Sequence, residues 1–438
     1  MTDLLIKPAK LKGTVHIPPS KSMAHRAVIA ACLAEGESVI ENIDLSDDIV
    51  ATIEGMTAFG AIINIQAAGN RKKLIIQGID FAQSTSNSRI IDANESGSTL
   101  RFLIPLATLF SGETRFVGRG KLGSRPLKTY ETIFKAQSLQ FTPSGNDSLD
   151  LKVAGHLTAG KYQLPGNVSS QFITGLLYTL PLLKDDSVIQ ITTELESIGY
   201  LDLTLEVLQA FGITVSFNEA DRQFIIPGNQ SYQAQNYTVE GDYSQAAFFL
   251  SAGALGNEVT VTGLKVDSNQ GDRGILGILE QLNATTILNT PGKMATNSPN
   301  GLKGGAVIDG AQVPDIIPIS ALVACLSPGQ TNLINLSRLR IKESDRLVAT
   351  QQELAKLGAN IQVVGDSLRI QGVASLKGDA IVSSHQDHRM AMMLAIASTV
   401  SEKEIIIKDT EYVTKSYPAF WQEFESLGGR VSEWHMGE

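Results

Sequence analysis

Residues 18–36 read PPSKSMAHRAVIAACLAEG. Ser20, Lys21, Ser22, His25 and Arg26 crowd the start of a segment, residues 27–34, that is apolar on every face. A helix apolar all round belongs in an interior, and Gly36 is placed to end it. Its first turn nonetheless carries hydroxyls and cations, groups that suit an anion held at a helix N-terminus rather than a core.

The pattern recurs. ESGSTLRFLIPLATLFSGETRFV from Glu95, SSQFITGLLYTLPLLKDDSVIQI from Ser169 and GDYSQAAFFLSAGALGNEVTV from Gly241 repeat it, as do PDIIPISALVACLSPGQTNLI from Pro314 and DHRMAMMLAIASTVSEKEIII from Asp387. Each is a polar cluster, an apolar helix, a break and a β-branched strand. The starts are spaced by roughly 70 to 75 residues, a period that marks an internal repeat. A second series is interleaved: IVATIEGMTAFGAIINI, YETIFKAQSLQFTP, YLDLTLEVLQAFGITVSF, GILGILEQLNATTIL, LVATQQELAKLGANIQVV and FWQEFESLGGRVSEW. Each reads as an amphipathic helix, a turn and a strand. Six copies of helix, strand, helix, strand thus fill nearly the whole chain, an α/β protein with apolar helices inside and amphipathic ones outside.

A chain of 438 residues exceeds one ordinary core, so two globes of three units each are expected. If the inner helices run parallel, their N-termini share one surface, and two such surfaces facing each other make a cleft for anions. The net charge of −9 argues against nucleic acid or a membrane surface as the main partner. No apolar run reaches the roughly 18 residues of a membrane span, and MTDLLIKPAKLKG lacks a long apolar h-region, so a cytoplasmic protein is expected. Cys32 and Cys325 each sit in an apolar helical run and read as buried thiols.

Against this acidic background the cations are selectively placed. Lys21 and Arg26 flank the first inner helix and Arg101 lies in the second. Arg125 sits in GRGKLGSRPLK, Lys342 and Arg346 in RIKESDRL, Arg389 in DHRMA, and Lys415 in TKSYP. Recurrence at equivalent points of a repeat points to several anionic groups in the ligands. Gly118, Gly120 and Gly123 match GxGxxG without the acidic residue a nicotinamide site needs. GHLTAGK from Gly155 has Tyr162 where a P-loop needs Ser or Thr. No metal-ligand spacing and no GxSxG motif occur, so neither a metal nor another cofactor is expected.

PPSKSMAHRA, ESGSTLR, GRGKLGSRPL, NVSSQF, VPDIIP, RIKESDRL, DHRMAM and TKSYPAF, in order and spacing, resemble the motifs of the 5-enolpyruvylshikimate-3-phosphate synthase family, from about Leu4 to Phe424. The resemblance implies the two-domain enolpyruvyl transferase fold: six βαβαββ repeats, three per domain, inverse α/β barrel-like, with helix N-termini facing an interdomain cleft. Residues 1–20 and 240–438 would form one domain and 21–239 the other, the two crossovers acting as a hinge. It implies transfer of the enolpyruvyl group of phosphoenolpyruvate to the 5-hydroxyl of shikimate 3-phosphate with release of phosphate, a step of aromatic amino-acid biosynthesis, by a monomer that glyphosate inhibits.

Carried over by motif, Lys21, Gly97, Arg125, Gln171, Arg346, Arg389 and Lys415 would hold phosphoenolpyruvate. Lys21, Ser22, Arg26, Ser169, Ser170, Gln171, Ser197, Tyr200, Asp315, Arg338 and Lys342 would hold shikimate 3-phosphate. Asp315 resembles the base, Glu343 the acid, and Lys21 joins them as a catalytic residue. Read without the resemblance, Asp315 is a helix cap and KESDR an exposed, salt-bridged turn. Glu95 stands where the family commonly has Asn, Ser98 where it has Thr, and Gly199 where it has Pro. The alternatives are the related transferase that acts on UDP-N-acetylglucosamine and an idle anion-binding scaffold. The first is disfavoured because GRGKLGSRPLK contains neither the cysteine nor the aspartate usual there. An RNA-end cyclase of related repeat fold is disfavoured by the acidic balance and the missing ATP motif.

Overall fold

A computed structural model of the chain describes residues 2–82, 88–143, 148–290 and 292–435. They divide into two compact units, Met1–Pro18 with Gly241–Glu438, and Pro19–Glu240. Each unit has its own apolar core.

In the Pro19–Glu240 unit the inner helices are Lys21–Leu33, Gly97–Leu106 and Ser170–Thr179, with nearly every side chain buried after the first turn. The outer helices Asp47–Ala58, Lys128–Ala136 and Ile198–Ala210 bury one side only. One repeat shows the pattern: strand Arg89–Asp92, inner helix, strand Thr114–Gly118, outer helix, then strands Gln140–Pro143 and Leu149–Ala154. The first two strands pair in parallel, because the inner helix carries the chain across between them. Leu149–Ala154 and Gln140–Pro143 add antiparallel neighbours. Lys161–Leu164, Ser187–Ile191, Gln223–Ile226 and Ser216–Asn218 repeat that order. So do Asn236–Thr238, Glu37–Ile43, Arg71–Gln77 and Ile62–Ala68.

The other unit follows the same rule around inner helices Tyr243–Ala254, Ile317–Cys325 and His388–Ser398, all of whose residues are buried. Its outer helices are Ile275–Gln281, Arg346–Lys356 and Phe420–Ser426. Lys12–His16 pairs in parallel with Glu258–Thr262, and Leu4–Lys7 lies between Ile405–Lys408 and Arg430–Glu433. Two of its three sheets therefore need a strand from residues 1–18. The inserted unit begins and ends at one place, since Ser20 N–H donates to the Glu240 carbonyl at 2.7 Å.

The βαβαββ repeat that the resemblance implies is present, and only the reading from residue pattern alone needs adjustment. The residue pattern alone supports helix, strand, helix, strand, whereas each repeat holds four strands. The missed ones are short and half-exposed, as at Arg89–Asp92, so they carry no long apolar run. The sheets also remain separate four-stranded pieces apart from one two-stranded pair, and among the described residues none closes into a barrel. Cys32 and Cys325 are buried and unbridged, and burial pushes both thiols up, as expected of inert core groups.

The sheet order predicts how fragments behave. Residues 19–240 alone should melt in one cooperative transition by circular dichroism. Residues 241–438 should not, and a peptide of residues 1–18 should restore the transition. A cooperative melt of 241–438 alone would show that its two borrowed strands are dispensable.

Candidate functional site

In the Pro19–Glu240 unit the three inner helices start on serine caps. Ser20, Ser96 and Ser169 accept hydrogen bonds from the backbone N–H of Met23, Thr99 and Gln171. Lys21, the first helical residue, donates from Nζ to Asp48 Oδ2 at 2.7 Å, with both side chains largely buried. Arg26 is buried. It spends Nε on Thr204 Oγ1, Nη1 on the Ser22 carbonyl and Nη2 on the Tyr200 carbonyl, and it lies over the Phe102 ring. Two of these N–H groups thus tie the first inner helix to the third outer helix, and the third bonds back within its own helix.

Gly97 opens the second inner helix with the Arg125 guanidinium against it: a Cβ there would stand 2.6 Å from Arg125 Nη1. Gln171 is held at both ends, accepting from Arg101 Nη1 at 2.7 Å and donating to Ser98 Oγ at 2.9 Å. Arg101 also donates to the Pro126 carbonyl and stacks on Phe172. It therefore fixes both Gln171 and the end of the loop that carries Arg125. Close helix contact makes this possible. At Gly175, a Cβ would collide with the Tyr130 hydroxyl and the Arg101 carbonyl, the two groups that hydrogen-bond to each other there. Ser170 begins the third inner helix, while Tyr200 is half-buried in the first turn of its outer helix. Ser197, just ahead of that helix, is buried with φ of 56°, a left-handed conformation that costs a non-glycine residue about 1 kcal/mol. Gly199, in the first turn of that helix, comes two residues after the left-handed Ser197. Glu95 packs its carboxylate against Gly120, in the loop that leads to Arg125.

His25, inside the SKSMAHR motif, faces inward. Its Nδ1 is 2.7 Å from Thr52 Oγ1, which is 2.7 Å from Thr99 Oγ1. Thr99 also reaches Ser96 Oγ and the Asp48 carbonyl. This line of hydroxyls locks Asp48 and the first turns of two inner helices together. Burial brings the His25 imidazole down from 6.5 to about 3, the nearby Lys21 and Arg26 adding to it against the opposing charge of Asp48.

In the other unit one guanidinium organises the polar end. Arg346, whose side chain is 1% exposed, donates from Nε to Asp387 Oδ2 at 2.7 Å and from Nη1 to Asp315 Oδ1 at 2.8 Å. From Nη2 it donates to Glu343 Oε2 at 2.7 Å and to Asp387 Oδ1 at 3.2 Å. Asp387 in turn accepts the Ser344 hydroxyl and caps its own helix through the Arg389 N–H. Lys342 donates to Asp315 Oδ1 at 3.0 Å, and Arg389 Nη2 lies 3.7 Å from Asp315 Oδ2. Arg338 and Lys415 are buried in the same unit, each in a 3-10 turn.

The bland readings of these residues do not hold. Asp315 lies in the turn Pro314–Ile316 and caps nothing, the cap position being Ile316 with no side-chain bond. In KESDR, Ser344 and Arg346 are buried, and only Asp345 behaves as a surface residue, capping its helix and pairing with Arg340. Burial pushes the Asp315 carboxyl up, but Lys342, Arg389 and Arg346 together outweigh it and hold it well below the usual carboxylate range. Lys342 is lowered, chiefly by burial, with Asp315 opposing.

The sequence reading missed Asp48, Asp387, Ser244 and Asp272. A signal for the first existed: Lys21–Asp48 and Asp315–Lys342 are both 27 residues apart. The start of an inner helix meets the start of the following outer segment, with the charges exchanged between the two units.

Repeated α/β units with capped, buried helix starts surrounded by paired cations and carboxylates define a protein that handles small, multiply charged anions. The chain belongs to the EPSP synthase (3-phosphoshikimate 1-carboxyvinyltransferase) family, whose model matches residues 5–424. It is 53% identical over 433 residues to a 3-phosphoshikimate 1-carboxyvinyltransferase of Clostridium perfringens, covering 99% of this chain and all of that one. It is 52% identical over 445 residues to the protein of that name from Clostridioides difficile, with both chains fully covered. The fold is that of an EPSP synthase structure from Acinetobacter baumannii, with a TM-score of 0.79 at 24% identity over 99% of this chain and all of that one.

The buried His25 predicts a pH effect on stability. A folded imidazole held neutral makes the unfolded state bind the extra proton, so stability is full above the ordinary 6.5 and falls as the pH drops below it. Between about pH 7 and about pH 5 this one group should cost the fold about 2 kcal/mol. Urea unfolding at both pH values should show a smaller difference in His25→Gln than in wild type. Equal differences would place the protonation elsewhere.

Proposed function

We propose that the anion-holding groups of the two units act together on one pair of substrates, phosphoenolpyruvate and shikimate 3-phosphate, in the reaction of the family. The enolpyruvyl group moves to the 5-hydroxyl and phosphate leaves. The methylene carbon gains a proton while the hydroxyl oxygen bonds to the central carbon and gives up its own proton. The resulting tetrahedral ketal phosphate then loses phosphate and a methyl proton. The observation that carries this reading is Asp315, a carboxylate kept ionised among Lys342, Arg346 and Arg389, with Glu343 on the same guanidinium.

In this reading Asp315 is the base for the 5-hydroxyl. Substrate anions draw Lys342 and Arg389 towards themselves, and the carboxylate's hold on a proton rises as its counter-ions turn away. Arg346, turning to a bound carboxylate or phosphate, releases Glu343 to carry the proton for the methylene carbon. Lys21, Gly97, Arg125, Gln171, Arg389 and Lys415 support phosphoenolpyruvate. Ser22, Arg26, Ser169, Ser170, Ser197, Tyr200, Arg338 and Lys342 support shikimate 3-phosphate, with Lys21 and Gln171 serving both. The loop 118–128 offers no thiol, and the two cysteines are buried, which disfavours the UDP-N-acetylglucosamine reaction. A cytoplasmic location fits two unbridged, buried thiols, and the expected monomer is tested by light scattering.

Phosphate release should follow mixing with phosphoenolpyruvate and shikimate 3-phosphate but not with UDP-N-acetylglucosamine as acceptor. Preference for the sugar nucleotide would overturn the assignment, and no release with either would leave a binding scaffold. Asp315→Ala should lower turnover by roughly 100-fold or more, as for a general base, while shikimate 3-phosphate still binds. Turnover within a few-fold of wild type would remove Asp315 from the mechanism.

Glyphosate should compete with phosphoenolpyruvate. In Gly97→Ala the new methyl group meets Arg125 Nη1, the end of a side chain able to shift. The shorter substrate should tolerate that shift better than the longer inhibitor. Inhibition should weaken by on the order of 2 kcal/mol, the scale of an overpacking clash, with a smaller loss for phosphoenolpyruvate. Equal losses would point to general distortion of the helix start.

A further inference from the structure

Ser244 and Asp272 have no role in the reaction as described, yet both are buried at the polar end of the unit that holds Asp315. Ser244 is the second residue of inner helix Tyr243–Ala254, and Asp272 lies in the 3-10 turn Gly271–Gly274 ahead of an outer helix. The Ser244 hydroxyl donates to Asp272 Oδ2, and its N–H donates to Asp242 Oδ1 at 2.7 Å. The Ser244 carbonyl accepts from Arg389 Nη1 at 3.1 Å, and Arg389 Nη2 faces Asp315 Oδ2 at 3.7 Å. Asp272, Ser244, Arg389 and Asp315 therefore form one line of contacts. The 28-residue separation of Ser244 and Asp272 is almost that of Asp315 and Lys342, so the pair occupies the repeat position where its neighbour has an ion pair. Here Ser244 stands at the inner position that Asp315 fills next door, and Asp272 at the outer position that Lys342 fills.

The surroundings drive the two carboxyls apart. Burial pushes Asp272 up to about 6, with the charges of Asp315 and Asp242 adding to it, and Arg389 and the Ser244 hydroxyl opposing. Asp315 faces Asp272 from the turn before Ile317–Cys325, Arg389 from His388–Ser398, and Asp242 from the cap of Tyr243–Ala254. On its own turn Arg273 is exposed and bonded to the Val266 carbonyl. Two carboxyls in one half-site with opposite displacements mark groups with different duties in proton handling.

We propose that Ser244 and Asp272 are positioning residues for the reaction centre: Asp272 holds Ser244, Ser244 holds Arg389, Arg389 fixes the Asp315 carboxylate, and the charge state of Asp272 is passed to Asp315 along that line. The proposal rests on Asp315 being the base. Above its midpoint Asp272 is an anion that competes for Arg389; below it, a neutral acid that leaves Arg389 to Asp315.

The test combines turnover with a titration that needs none. Infrared difference spectra of the ligand-free protein should show a carboxyl titrating at about 6 that is absent in Asp272→Asn and moves down in Asp315→Asn, where a negative neighbour is gone. Phosphate-release kcat against pH should lose an inflection in that region in Asp272→Asn. Ser244→Ala should lower kcat by about 10-fold with a smaller change in KM, as expected when a catalytic group is slightly misplaced. Wild-type kcat and pH profile in both variants, with only the melting temperature altered, would reduce the pair to a structural role and overturn the proposal. If Asp272→Asn does not fold, Ser244→Ala and the Asp315→Asn shift decide. An unshifted titration in Asp315→Asn breaks the line of contacts itself, whereas an active Asp315→Ala enzyme removes the base assignment and the proposal with it.

Discussion

An apolar helix buried to its first turn leaves N–H groups there that nothing in a core can satisfy. Every inner helix of this chain meets that constraint, and most of the polar arrangement follows from it. Serine or aspartate caps take up the first N–H groups in five of the six. The sixth enters through a 3-10 turn that carries Asp315. The next residues must then be small or polar, and they meet groups from the start of the following outer segment, as Lys21 meets Asp48 and Lys342 meets Asp315. A requirement of hydrogen-bond satisfaction thereby becomes an array of oriented charges.

Around Arg346 that array is neutralised from within. Asp315, Glu343 and Asp387 balance Lys342, Arg346 and Arg389, and the central side chain is almost wholly removed from water. Isolated charges in such a place would be too costly to hold. In the proposed reaction, anionic ligands exchange counter-ions with the protein's own carboxylates rather than fill a bare cationic pocket. Part of the interaction would then go into opening the ion pairs of Asp315 and Glu343, and the carboxylates so released are the groups proposed to move protons. On that proposal, binding and acid–base chemistry become one event.

The repeat, the inner and outer helices and the cationic positions were legible because periodicity and an acidic background made them stand out. The short strands such as Arg89–Asp92 were not, having no long apolar run to betray them. Of the site, residues in distinctive motifs were legible through resemblance. Asp48 was hidden because one aspartate in SDDIV looks like any helix-start acid. Asp272 was hidden because its importance lies in a neighbour 28 residues away and in burial that no local pattern displays. His25 lies in a motif of serine, lysine and arginine, yet its partners are core threonines, a burial that the motif does not display.

The strand Leu4–Lys7 is made long before the strands it pairs with. Its neighbours, Ile405–Lys408 and Arg430–Glu433, leave the ribosome about 400 residues later. At typical elongation rates that is a wait of roughly 20 to 80 s. Throughout it Leu4 and Ile6, both destined for the core, sit on a strand with two open edges. The flanking sequence is suited to that delay. Lys7, Pro8, Lys10 and Lys12 follow at once, a proline and three like charges that discourage pairing with the same segment on another nascent chain. Leu11, also buried in the finished protein, lies among them. These residues of an acidic protein thus guard the strand's edges for the time before its own sheet exists.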